Sequence, residues 1–289
     1  MSFNKVPAGN GWQWIAQALE VLKKHPVPFL VMGLIMGVIG IVPLLGGLVL
    51  LILGPALIAG TCYAARQADQ GQSPEIGHLF RGFQEGDRIG SLIALCIPTV
   101  VGLVAMGILV GIFAVGTAIS AGAGFAEQMQ SNPMVLLTAM GASALILIPL
   151  VLIIALAIYA LTFFAIPRTL LERPDAFANM KESFAACRSN FGAFIVAILI
   201  LLAGIVVLNI VFHILHLGRI GDILVATGLY AVLGSTLYFG YREVFAGNRG
   251  ADSTTAEPVA PPPAPEEPTP PPAPPAPPTP PAPPTPPAA

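Results

Sequence analysis

The side chains best suited to chemistry lie near the end of one long apolar segment. Asn209 and His213 are four residues apart, so they share one face of a helix. An amide and an imidazole at membrane depth are by default candidates for binding a transported solute. The simpler interpretation is that Asn209 bonds to a neighbouring helix and that His213 lies at the outer membrane interface.

A second set of side chains offers nitrogen and oxygen ligands for a divalent metal, namely His213, His216 and Asp222. Three candidate ligands without an established geometry do not define a metal site. We therefore predict neither a metal ion nor any other cofactor, and we keep this set only as an alternative to histidines at the membrane interface.

The chain contains no motif of a common catalytic class. It has no Gly-rich phosphate loop, no HExxH and no GxSxG. Its cysteines, Cys62, Cys96 and Cys187, are widely spaced and form no CxxC pair, so they are predicted to be packing residues. The sequence therefore predicts a protein that is not an enzyme and has no catalytic residue.

The composition is that of a membrane protein. Hydrophobic residues make up 55% of the chain and charged residues 10%, against about 25% charged residues in a soluble domain. A net charge of −2 excludes nucleic acid as a partner, because there is no basic surface to displace counterions from phosphates. The predicted partner is the lipid bilayer.

Residues 27–65 contain no charged side chain and are interrupted near the middle by the sequence PLLGG. A helix needs about 20 apolar residues to cross the hydrocarbon core, so this stretch predicts two spans joined by a tight turn. The same reasoning predicts an all-α bundle of six transmembrane helices within residues 27–247. The predicted spans are about 27–42, 47–66, 89–118, 142–166, 191–213 and 223–241.

Polar segments before each pair of spans are predicted to form short amphipathic helices at the membrane surface. The first lies within residues 1–26 and carries Trp12 and Trp14 as anchors at headgroup depth. The second follows Ser73, and the third follows Asp175, because both residue types are favoured helix N-caps.

Charge asymmetry predicts the orientation. With six spans, Arg219 is the one member of the 13 Lys and Arg residues that falls on the far side. Lys and Arg mark cytoplasmic loops, so both termini are predicted to be cytoplasmic.

Two glycine pairs, Gly33 with Gly37 and Gly107 with Gly111, have the spacing that lets helices approach closely. Either pair is a candidate face for a homo-oligomer. The alternative is that glycine is simply common in membrane helices.

Residues 248–289 are mostly proline and alanine and are predicted to be a disordered cytoplasmic tail with polyproline II character. We favour the interpretation that this tail is a spacer. The alternative is that its PxxP segments bind a cytoplasmic protein.

The stretch VPAGNGWQWI at residues 6–15 resembles the opening of a family of uncharacterised proteobacterial inner-membrane proteins. Further stretches fit the same family: GPALIAG at residues 54–60, HLFRGF at residues 78–83 and YREVF at residues 241–245. The resemblance implies a bacterial source and an inner-membrane location. It implies no catalytic residue.

Two functions follow from these patterns. The leading hypothesis is a non-enzymatic membrane protein that organises partners or lipids at the cytoplasmic face. The alternative is a small-molecule or lipid transporter built from parallel helical-hairpin repeats.

Overall fold

A computed structural model describes residues 3–122, 124–132, 134 and 141–245 of the chain. The predicted proline-rich tail lies outside these residues. The described residues form helices joined by short connections. Their bounds are α1 Asn10–Lys24, α2 Pro26–Ile41, α3 Leu45–Asp69, a 3-10 helix at Ile76–Phe80, α4 Arg81–Gln84, α5 Ile89–Ala94, α6 Ile97–Ala121, α7 Phe125–Ser131, α8 Gly141–Thr162, α9 Ala165–Leu171, α10 Ala176–Ser189, α11 Phe191–Ile214 and α12 Gly218–Phe245.

Five helical segments are long and apolar enough to cross a membrane. They are Leu45–Asp69, Ile89–Ser120, Ala144–Leu171, Phe191–Ile214 and Gly218–Phe245. A sixth is present if α1 and α2, which meet at a bend of 108°, count as one broken span. The prediction of an all-helical, multi-pass protein is therefore confirmed, with five or six spans. The first predicted span is too short to cross the membrane by α2 alone. Its 16 residues measure about 24 Å at 1.5 Å per residue, against a hydrocarbon core of about 30 Å.

The bend between α1 and α2 is placed by His25 and Pro26. His25 has non-helical backbone angles (φ −131°, ψ 62°), and Pro26 then opens α2 at a position where its missing N–H has no intrahelical partner to lose. The consequence is that α1 and α2 are bent by 108° relative to each other and do not form one straight helix.

Helix α1 packs inside the bundle, against α11 and α12. Its buried face is formed by Gly11, Trp14, Ile15, Ala18 and Val21. At Gly11 an added Cβ would lie 2.2 Å from the carbonyl oxygen of Ala193 on α11, so only glycine permits this approach. The predicted interfacial helix is therefore one packed layer of the protein, with only its other face exposed.

Helices α2, α3 and α12 form the centre of the bundle. An added Cβ at Gly33 would lie 2.3 Å from the carbonyl oxygen of Thr227, and Gly37 also faces α12. Both glycines face α12 within the chain, which gives their spacing a role inside the bundle, and the homo-oligomer face at Gly33 and Gly37 stays a prediction. A Cβ added at Gly107 or Gly111 would meet no atom of another element within 4 Å, and the homo-oligomer prediction there stays a prediction.

We expect Gly33→Ala to destabilise the protein by about 1–3 kcal/mol, because the new methyl group must push α2 away from α12. Gly107→Ala is the matched control, since its Cβ meets open space and alanine favours the helix. Thermal unfolding of both variants in detergent measures the difference. A Gly33→Ala midpoint equal to that of Gly107→Ala would contradict the α2–α12 contact.

The polar segment after α3 contains the 3-10 helix Ile76–Phe80, and α4 follows it directly. Its 3-10 helix is capped by Glu75, in a capping box with His78, and not by Ser73. Leu79 is fully buried, and its carbonyl oxygen approaches Gly60 of α3. The segment thus packs onto α3. The predicted cap of the third segment is confirmed, because Asp175 Oδ1 accepts a hydrogen bond from the Ala178 N–H at 3.0 Å.

Candidate functional site

The residues predicted to bind a solute do not converge on a site. Asn209 and His213 are exposed on the surface of α11, and the Asn209 amide donates to the carbonyl of Ile205 in its own helix at 2.9 Å. His216 and Asp222 are exposed as well. Within the ranges that the structure describes, no three His, Cys, Asp or Glu side chains are placed to hold a metal ion.

The two tryptophans of α1 have different environments. Trp12 is 53% exposed, whereas Trp14 is fully buried. The Trp14 indole N–H donates to Glu243 Oε2 at 2.5 Å, and its ring packs against Phe163 and Phe164. The prediction that Trp14 is an anchor among lipid headgroups is therefore wrong, because its indole faces the protein interior. For Trp12 it stays a prediction.

The structure gathers polar side chains at one end of the bundle, where α3 and α12 end and α1, α10 and α11 begin. We call this group the polar cluster. Its members are Asn4, Asn10, Asp69, Arg88, Arg168, Glu172, Arg173, Asn179, Glu182, Asn190, Tyr241, Arg242 and Glu243.

Arg168 lies at the centre of the polar cluster and is 7% exposed. Its Nε donates to Glu172 Oε2 at 3.0 Å, and its Nη1 pairs with Glu182. The guanidinium carbon lies 4.4 Å from the ring centroid of Phe245, a cation–π distance. A buried charge needs such partners, because removing it from water without them is costly.

The neighbours of Arg168 are bonded in turn. Arg173 pairs with Glu182 and donates through Nε to Asn179 Oδ1 at 3.1 Å. The Asn179 amide donates to Thr169 Oγ1 at 3.0 Å and to the carbonyl of Arg173 at 2.9 Å. Tyr241 of α12 donates to Glu172 Oε1 at 2.6 Å. The cluster thereby fastens α9, α10 and α12 to one another.

The charge of Glu182 depends on this pairing. Burial alone would raise the pKa of Glu182, but the hydrogen bonds and positive charges of Arg168 and Arg173 outweigh burial and hold the pKa below its ordinary value of 4.5. Glu182 is therefore a stabilising carboxylate and not a proton carrier near neutral pH.

We expect the protein to lose stability in acid partly through Glu182. Because its pKa is lower in the folded state, its contribution is complete above about pH 4.5 and is lost as the pH falls through the folded-state pKa. The thermal midpoint of Glu182→Gln should therefore fall less steeply below that pH than that of wild type. Glu20→Gln, at an exposed surface pair, is the control. A slope unchanged by Glu182→Gln would contradict this role.

A second arm of the polar cluster joins α1, α3 and α12. Glu243 accepts hydrogen bonds from Asn10 and Trp14. Arg242 pairs with Asp69, and Arg242 Nη2 donates to Gln17 Oε1 at 2.6 Å. The stretches at residues 6–15 and 241–245 thus contact each other, which gives both a structural role.

Asn190 fixes the start of the described chain. Its Oδ1 accepts from the Val6 N–H at 2.8 Å, and its Nδ2 donates to the carbonyl of Asn4 at 3.0 Å. The Asn4 N–H donates to the carbonyl of Val244 at 2.8 Å. Residues near both ends of the described chain therefore lie side by side.

Away from the polar cluster, a cleft of about 240 Å³ lies among α3, α6, α8 and α12. Its lining is mostly apolar, with hydroxyl groups from Thr99, Tyr159 and Thr162. The Thr162 hydroxyl already donates to the carbonyl of Ile158 at 3.0 Å. This cleft suits a hydrocarbon chain better than a polar solute.

No protein-family model matches the chain, and comparisons with curated proteins and with solved structures found no match. The fold and the polar cluster by themselves define the class, which is that of multi-pass α-helical membrane proteins whose spans are tied together by a buried ionic cluster at one end.

Proposed function

We propose that the protein is a non-enzymatic organiser of lipids or protein partners at the cytoplasmic face of a bacterial inner membrane. One observation carries the proposal. Charged groups inside the polar cluster bond to one another, whereas Lys181 and Arg188 are exposed on its outer surface. Across the described part of the chain, no hydrogen bond or ion pair joins either cation to another side chain or to a carbonyl. The charges of the polar cluster neutralise one another, whereas Lys181 and Arg188 face outward. This arrangement suits the binding of lipids or partner proteins better than catalysis.

Charge and chain geometry support the proposed orientation. Arg219 lies at the end of the bundle opposite the polar cluster, whereas the other Lys and Arg residues of the described chain lie at the cluster end. Asn4 and Val244 are hydrogen-bonded neighbours, which fits two termini on one side. A positively charged end faces the cytoplasm in most membrane proteins. The bacterial source rests on the resemblance of residues 6–15 and 241–245.

A transporter remains the alternative, and the cleft among α3, α6, α8 and α12 favours it. Its apolar lining suits a lipid chain. The antiparallel pairs α2 with α3, α6 with α8, and α11 with α12 are the units that the repeat hypothesis requires. The exposed positions of Asn209 and His213 provide no support for a polar solute.

Residues 248–289 are proposed to be a spacer. The alternative, a ligand for a cytoplasmic protein, predicts a protein that co-purifies with the full chain and not with a chain ending at Gly250. Identical co-purifying proteins would favour the spacer.

A photo-crosslinking amino acid placed at Lys181 tests the proposed function, with Ile220 as the matched position. Both positions are exposed, but Ile220 lies at the opposite end of the bundle. We expect discrete crosslinked lipid or protein species from position 181 that are absent from position 220. The same pattern at both positions, together with protein-dependent flux of solute or lipid in liposomes, would contradict an organiser and favour the transporter.

A further inference from the structure

A groove of about 250 Å³ runs between α8, α10 and α11 on the outside of the bundle. Leu156 and Ala157 of α8 form one wall, and Phe191 and Phe194 of α11 form the other. The lining is almost entirely apolar, and the volume is below the roughly 300 Å³ of the smallest drug-sized pockets. The groove therefore suits a segment of a hydrocarbon chain and not a compact polar ligand.

One charged residue, Arg188, lies at the margin of this groove. The arginines of the polar cluster are paired with carboxylates or carbonyls, as the buried Arg168 and the half-buried Arg88 show. Arg188 differs from them, because in residues 3–122, 124–132, 134 and 141–245 no acceptor bonds its guanidinium. A cation in the last turn of α10 is favourable to the helix dipole, and its five donors stay available to an anion.

The outer face of α10 has the pattern of a helix at the membrane surface. Phe177, Lys181, Phe184 and Arg188 follow one another at spacings of four, three and four residues, and all four are exposed. The opposite face, which includes Asn179 and Ser183, is buried. Exposed aromatic rings that alternate with cations are typical of helices among lipid headgroups.

The position of α10 in the chain agrees with a location at the membrane surface. The apolar segment before it ends at Leu171, and the next one begins at Phe191. Helix α10 therefore joins two membrane crossings at their ends. An acyl chain in the groove would run along α8 and α11 toward the membrane interior, with its headgroup beside α10.

We propose that this groove binds one anionic phospholipid, with an acyl chain against α8 and α11 and the phosphate at Arg188. Arginine is suited to the phosphate, because its planar guanidinium can bond two phosphate oxygens at once. Lys181 lies two helical turns away on the same face and adds to the local positive charge. The inference deepens the proposed function by naming a lipid class, and it rests on that function only for the choice of leaflet.

Native mass spectrometry of the purified full-length protein tests this site. The probes are phosphatidylglycerol, which carries one negative charge, and phosphatidylcholine with the same acyl chains, which is neutral overall. We expect wild type to retain one phosphatidylglycerol with a preference on the order of tenfold, and Arg188→Gln to lose most of that preference. Arg219→Gln, at an exposed arginine of the opposite end, should keep it.

A second variant tests the groove itself. Ala157→Trp places an indole where the acyl chain is proposed to lie, and it should lower retention of phosphatidylglycerol while Arg188 is intact. Thermal unfolding of each variant verifies that it is folded. The proposal is overturned if wild type shows no preference, or if Arg188→Gln and Arg219→Gln retain the lipid equally. If either of these results is found but partner proteins are crosslinked at position 181, the proposed function stands and only the lipid site is rejected.

Discussion

Replacement of Arg168 by alanine is expected to lower the free energy of unfolding by about 3–5 kcal/mol, because it removes the buried cation that Glu172 and Glu182 share. Arg168 is 7% exposed and pairs with both Glu172 and Glu182. The substitution would remove the ion pair between Arg168 of α9 and Glu182 of α10, and it would also remove the cation–π contact with Phe245. In a protein of this size the change corresponds to a fall in thermal midpoint on the order of 10 °C.

Lys24→Ala provides the matched control for Arg168→Ala. Lys24 also forms an ion pair, with Glu20 at 3.3 Å, but both side chains are largely exposed. Such surface pairs contribute about 0–1 kcal/mol. Thermal unfolding in the same detergent compares the two variants. Equal destabilisation by Arg168→Ala and Lys24→Ala would show that the polar cluster does not hold the helices together.

Trp14→Ala is expected to destabilise the protein by about 3–5 kcal/mol, the range for removal of a large buried aromatic side chain. Its indole packs against the rings of Phe163 and Phe164. It also donates to Glu243, so the variant removes a partner from a carboxylate of the polar cluster. Trp14→Phe keeps most of the ring and should recover part of the loss.

Trp12→Ala is the control for Trp14→Ala, because the two residues are close neighbours on the same helix. Trp12 is 53% exposed, so its loss in detergent should cost less than about 1 kcal/mol. Chemical or thermal unfolding measures both variants. If the two substitutions had the same effect, the orientation of α1 described here would be wrong.

Much of the helical architecture could be predicted from hydropathy alone. Helix α11 begins at Phe191 as predicted and ends one residue beyond the prediction, at Ile214. An apolar run with polar ends has few alternatives in a bilayer, since each backbone group must bond within its own helix. The first span was less predictable, because Pro26 and His25 produce the bend of 108° only together with the packing of α1.

The polar cluster could not be predicted in the same way. Arg168, Arg173 and Glu182 have the composition of a solvated face, and the sequence favours that interpretation. The burial of Arg168 and the pairing of all three depend on α10 folding back against the end of α8, a contact between elements that no local pattern encodes. The i, i+4 spacing of Arg168 and Glu172 was the one local signal of pairing.

The buried face of α1 is also hard to predict from hydropathy. Hydropathy favours Trp12 as a buried or membrane-facing residue. The buried face instead includes Gly11 and Ala18, whose small side chains let α11 and α12 approach closely. Small residues carry little hydropathy signal, although they decide which side of a membrane helix packs.

The orientation of the polar cluster is the claim on which the proposed function most directly depends. Single cysteines at Lys181 and Arg219, in a background with Cys96 replaced by serine, would report it through a membrane-impermeant maleimide. Cys62 and Cys187 are buried, and burial raises the pKa of the Cys187 thiol, so both should stay unlabelled in the folded protein. We expect the cysteine at position 219 to react in intact spheroplasts and the cysteine at position 181 to react only after permeabilisation. Labelling of position 181 from outside intact spheroplasts would contradict a cytoplasmic polar cluster.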